Sequence, residues 1–277
     1  MFMAKIISVI YAVTAVFWTF LTIYTGHTSH TAGLYLQILL FIIPFLGAVA
    51  GFRNARLWGG FKSAIGKAVV LLSLGTFTWS IGMLFWNYFV FVAKIEVPYP
   101  SLADAAFILS WPLWALGVLS LSKATGVKFA LRRIKGKVLL FIVPVVAIVS
   151  SYYLLIEVAR GGVVELDGSN FWKMFFDLFY PIGSAVILAI SLTFFSLSRD
   201  FLGGKYKVPV LILVIAFLIN YLADFMFSYT TTNETYFNGH FVDFLFATAM
   251  YLLSMSLSLI AVHKDKQSSI ETGNMLP

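Results

Sequence analysis

The sequence predicts an all-α, polytopic membrane protein: eight transmembrane helices built as two parallel four-helix repeats, with both termini cytoplasmic. Three observations carry this expectation. The 277-residue chain is 60% hydrophobic and only 11% charged, a composition that leaves too little polar surface for a water-soluble domain. Eight stretches each supply the ~20 mostly apolar residues that a spanning helix needs. Cationic residues then alternate from one connection to the next.

The eight segments are 5–25, 33–53, 66–94, 102–122, 137–158, 171–197, 208–230 and 240–263. The first follows a single lysine, Lys5, without a small-residue cleavage motif, so it reads as a retained helix rather than a signal peptide. The connections at 54–65, 123–136 and 198–207 are short and basic, whereas those at 26–32, 95–101, 159–170 and 231–239 hold few cations. Of the 19 Lys and Arg, all but Lys94, Arg160 and Lys173 fall at the N-terminal end, in or beside the basic loops, or in the tail. The positive-inside rule places that side in the cytoplasm. A net charge of +7 next to an anionic inner leaflet needs no nucleic-acid partner to explain it. The chain therefore reads as one membrane domain, 1–277, in the cell membrane, with the lipid bilayer as its first partner.

The second half echoes the first. Pro44 in LFIIPFLGA corresponds to Pro181 in LFYPIGSA, and the stretch beginning at Asp104 aligns without a gap with that beginning at Asp243. Helices 1–4 (residues 1–123) then match helices 5–8 (137–264), followed by a polar tail, 265–277. An even number of helices per unit gives both copies the same orientation, related by an axis along the membrane normal.

The first repeat turns on residues 79–114, a helix end, the corner VPYPSLAD and the start of the next helix. Its prolines require the preceding helix to stop by Val97. Ser101 stands at the N-cap, with Asp104 at the positive end of the new helix dipole. Trp79, Trp86, Trp111 and Trp114 flank the corner. Two readings stay open: an interfacial aromatic belt around a capped turn, or an aromatic pocket with a carboxylate at its mouth.

Asp104, Asp177, Asp224 and Asp243 each lie about four to seven residues from the outer end of an apolar segment, roughly 6–10 Å deep at 1.5 Å per residue. Carboxylates facing lipid are costly, so these should face the bundle interior or water. Asp104 and Asp243 suit first-turn positions, and Asp177 lies one turn from Lys173. Asp224 suits its position least, being placed toward a helix C-terminus where the dipole disfavours negative charge. Asn220 lies one turn before it on the same face.

The absence of cysteine removes disulfides, thiolate catalysis and thiolate metal sites. His27 and His30 have HxxH spacing and His240 begins the last helix, yet two histidines in a loop make a poor metal site, and none is expected. No histidine lies deep enough to ligate haem, and no helix 7 or 8 lysine stands in mid-membrane for a retinal Schiff base. No cofactor is expected. Asn233-Glu234-Thr235 is a glycosylation sequon.

Pro100-Ser101-Leu102-Ala103-Asp104 resembles the Pro-Ser-x-Ala-Asp stretch in multi-pass N-terminal membrane sensor modules of bacterial and archaeal histidine kinases and diguanylate cyclases. Leu222-Ala223-Asp224, with Gly239 and Asp243, is similar to the weaker second copy in those modules. The resemblance implies sensing at the membrane. This chain has no kinase or cyclase after its last helix, so output would pass to a separate signalling protein. A spacing likeness to lysoplasmalogenase-like eight-helix enzymes implies instead a lipid hydrolase using paired aspartates, although an acid expected between Trp79 and Asn87 is missing.

The expected function is binding or sensing of a small or lipidic ligand, without catalysis, in an outward-facing cavity. Its expected site residues are Trp79, Trp86, Asp104, Asp177, Asn220, Asp224 and Asp243. Lipid hydrolysis and small-molecule transport are the alternatives.

Overall fold

The structure, a computed structural model, describes residues 2–24, 30–98, 100–124, 134–162, 171–198 and 204–260. The helices are α1 (Phe2–Tyr24), α2 (His30–Leu57), α3 (Ala64–Asn87), α4 (Leu102–Ala124), α5 (Ile134–Tyr152), α6 (Phe171–Ser198), α7 (Gly204–Thr232) and α8 (Phe241–Leu259). A 3₁₀ turn at Gly60–Lys62 leads into α3, and π-helical turns at Tyr88–Ala93 and Tyr153–Val158 extend α3 and α5. Eight helices are long and apolar enough to cross a membrane.

Six helices form a closed circuit. α2 packs on α3, α3 on α4, α4 on α6, α6 on α7 and α7 on α8, and α8 returns to α2. α3 also touches α8 across the circuit, α1 lies outside against α2 and α8, and α5 lies outside against α6. The outer helices present apolar side chains outward, Val9, Val13 and Val16 on α1 and Phe141, Ile148 and Val149 on α5, as lipid contact requires. Between α5, α6 and α4 an apolar hollow of about 650 Å³ remains, lined by Leu140, Pro144, Ile182, Val186 and Val118 among others.

Lipid is as apolar as a leucine side chain, so membrane helices associate through close packing at small residues rather than through expulsion of water. At Gly47 a Cβ would stand 2.8 Å from the Cα of Ser254, fixing the approach of α2 to α8. At Gly75 it would stand 2.5 Å from Trp114 Cδ1 and 2.9 Å from the Ser110 carbonyl oxygen, fixing α3 to α4. Trp114 itself is fully buried, and its indole N–H donates to Thr76 Oγ1 at 3.3 Å. Buried hydroxyls donate back to their own helices, Ser73 to Val69, Thr76 to Leu72 and Ser258 to Ser254, leaving few polar groups bare in a dry interior. Prolines 44, 112, 144, 181 and 209 lie inside helices.

The corner after α3 behaves as its prolines require. The π turn ends at Ala93, Lys94 adopts a left-handed φ of 54°, and Ile95 N–H closes on the Phe89 carbonyl at 3.1 Å. α7 runs to Thr232, within two residues of the expected bound and about two turns beyond Asp224. The dipole acts mainly over the last turn, so the C-terminal argument for Asp224 loses its force. What singles out that carboxylate is its burial among helices.

Candidate functional site

Asp104 is held by its own helix start. Ser101 Oγ accepts from Ala103 N–H at 3.2 Å, while Asp104 Oδ2 accepts from Ser101 N–H at 2.6 Å and from Ser101 Oγ at 3.1 Å. This is the reciprocal logic of a capping box, with aspartate in place of the usual glutamate. The other oxygen, Oδ1, accepts from the Tyr180 hydroxyl of α6 at 2.5 Å.

Asp243 stands at the start of α8 in a comparable way. Its Oδ2 accepts from Gly239 N–H at 2.6 Å and from Gln37 Nε2 of α2 at 2.8 Å. Its Oδ1 accepts from the Tyr236 hydroxyl at 2.9 Å. Gly239 has φ 96°, and its Cα would stand only 3.3 Å from a Cβ on Gly33. Glycine at both positions lets the 238–239 backbone cross the start of α2. Tyr236 lies in the turn between α7 and α8. Desolvation, then the neighbouring Asp243 carboxylate, pushes its phenol well above the usual range, so it remains a hydrogen-bond donor.

Asp224 is the third acid. Ser184 Oγ of α6 donates to its Oδ2, and Asn220 Nδ2, one turn earlier on α7, donates to the same oxygen at 2.9 Å. Asn220 Nδ2 also reaches Ser184 Oγ at 2.9 Å. The side chains of Asp104, Asp224 and Asp243 are 6%, 5% and 2% exposed, yet every donor given to them is neutral.

All three carboxylates line one cavity of about 70 Å³ inside the six-helix circuit. Gln37 and Leu40 come from α2, Trp79, Met83 and Trp86 from α3, and Asp104, Phe107 and Trp111 from α4. Tyr180 comes from α6, Asn220, Asp224 and Phe227 from α7, Tyr236 from the turn, and Asp243 and Phe246 from α8. The aromatic wall is continuous: Trp79 lies 5.4 Å from Phe107 and 6.1 Å from Phe246, and Phe227 lies 4.8 Å from Tyr236 (ring centroids). Trp111 meets Tyr180 edge-on at 5.2 Å. Trp86, Phe227 and Tyr236 also line a wider hollow of about 890 Å³ beside the turns at 94–98 and 234–238.

Of the residues expected from sequence, the structure brings together Trp79, Trp86, Asp104, Asn220, Asp224 and Asp243. Asp177 lies on α6, but its side chain and that of Lys173 are outside the described residues. So are His27 and the side chain of His30, and among the described residues no group of three metal-ligating side chains occurs. Trp114 turns into the α3–α4 core rather than the cavity. The sequence reading missed Gln37, Tyr180, Ser184 and Tyr236, which hold the carboxylates. Tyr236 alone carried a signal, since its turn precedes Asp243 in the sequence much as VPYPSLAD leads into Asp104.

Fold and site define a multi-pass membrane protein, all-helical among the described residues, with three carboxylates in an aromatic-walled cavity inside its bundle. Comparison with family models, curated proteins and solved structures finds no match.

Proposed function

We propose that this protein is a ligand-binding membrane sensor of the cell membrane, which takes a small or lipidic ligand into the six-helix cavity and signals through a separate partner protein. The observation that carries this reading is the cavity itself: three buried carboxylates held by fixed neutral donors around open space with an aromatic wall. Donors locked in place before a ligand arrives make a site rigid, and rigidity reduces the ordering cost of binding.

Two parallel four-helix repeats with cytoplasmic termini complete the proposal. The packing pairs support the repeat: α4 on α6 and α8 on α2 exchange when helices 1–4 are matched with 5–8. Asp104 and Asp243 support it too, each taking a backbone N–H from just before its helix and a tyrosine hydroxyl. The positive-inside rule puts the basic connections on the cytoplasmic side. Since the chain has no cysteine, one placed at Lys128, a position outside the described residues, is expected to react only with a reagent admitted to the cytoplasmic side. Labelling from outside would overturn the topology.

The function is tested with purified protein in nanodiscs, reading tryptophan emission while small aromatic and lipidic compounds are added. Saturable change in the wild type, weakened by Asp224→Ala, supports binding at this position. Release of product from lysolipids, lost in Asp224→Asn, would replace the reading with hydrolysis. Accumulation of solute inside proteoliposomes would replace it with transport.

A further inference from the structure

The hydrogen bonds inside the cavity are unevenly shared. Both donors to Asp224 fall on Oδ2, and among the described residues none reaches Oδ1. One turn away, the Asn220 side chain is 4% exposed and its carbonyl Oδ1 is buried without a partner. A buried acceptor left bare is costly, so Asn220 Oδ1 calls for a donor from elsewhere, and Asp224 Oδ1 beside it on the same face of α7 has room for another. Charge points the same way. The lining holds three aspartates and no Lys, Arg or His. An ionised carboxylate in such a low-dielectric space repels an anion and is poorly matched by a neutral guest, whereas a cation favours ionisation. An inorganic cation such as calcium or magnesium demands a full oxygen shell, whereas the rest of this wall is indole and phenyl ring. The π faces of Trp79, Trp86 and Phe246 instead suit a cation with an apolar body.

Building on the ligand-binding reading, we propose that the cavity takes an organic ammonium ion. Its N–H groups donate to Asp224 Oδ1 and Asn220 Oδ1, and its apolar body lies against the tryptophan and phenylalanine wall. The carboxylates of Asp104 and Asp243, already occupied by tyrosine and backbone donors, balance its charge without direct contact.

The test uses three probes of similar size and three charges on the intact protein in nanodiscs: 2-phenylethylammonium, 2-phenylethanol and phenylacetate. Tryptophan emission and thermal midpoint are read for each. The ammonium is expected to bind at least about tenfold tighter than the alcohol, with the carboxylate weakest. Asp224→Asn is expected to remove most of the ammonium's advantage and leave the alcohol's affinity unchanged. The charge series on the wild type decides the matter even if that variant folds poorly. Equal affinity for alcohol and ammonium, or preference for the carboxylate, overturns the ammonium assignment while leaving the cavity as a binding site. If none of the three probes changes emission or midpoint, the ligand-binding reading falls, and this assignment falls with it.

Discussion

Asp243→Ala is expected to destabilise the protein by about 2–3 kcal/mol, roughly the cost of one buried donor left without its acceptor. Three donors converge on this carboxylate, from Gly239 N–H, Gln37 Nε2 and the Tyr236 hydroxyl. Gln37 and Tyr236 line the cavity, so water entering it can satisfy them after the side chain is gone. Gly239 N–H has no such access, because the residue is buried against Gly33 at the start of α2. Its loss of partner is what the estimate counts. Asp243→Asn is expected to be far milder. The amide oxygen can accept from Gly239 and Gln37, while its NH₂ donates to the Tyr236 oxygen, which reverses its role. Unfolding of both variants in one detergent, followed by tryptophan emission, checks the pair. Equal losses for alanine and asparagine would show that negative charge at this position, rather than hydrogen bonding, stabilises the helix start.

Gly75→Leu is expected to have the larger effect and to prevent stable folding. The first carbon added would already lie 2.5 Å from the Trp114 ring and 2.9 Å from a backbone carbonyl oxygen, and a backbone atom cannot swing aside as a flexible side chain does. Relief requires α3 and α4 to separate, and these helices carry Trp79, Trp86, Asp104 and Trp111 into the cavity. Overpacking a tight core by even a methyl group typically costs about 1–3 kcal/mol, and leucine adds three more carbons. Detergent-solubilised yield and monodispersity should fall sharply for leucine and moderately for Gly75→Ala. Wild-type behaviour of the leucine variant would mean that α3 and α4 are not closely packed at this point.

The chain itself determined the spanning segments, because bilayer thickness translates directly into a run of apolar residues and every such run is visible. It also determined the corner after α3, because Pro98, Pro100, Ser101 and Asp104 act on backbone groups within a few residues of themselves. That locality is why six of the cavity's residues were legible before any helix was placed. The partners of the acids were not. Gln37 lies 206 residues from Asp243, and Tyr180 lies 76 from Asp104. Neither distance leaves a trace in local spacing. The end of α7 is set locally too, because Thr230, Thr231 and Asn233 bond back to carbonyls of their own helix. Which acid keeps a bare oxygen was decided by tertiary structure alone. Ser184 and Asn220 converge on one side of Asp224 only because α6 and α7 pack at that height, and no periodicity in either helix records their meeting.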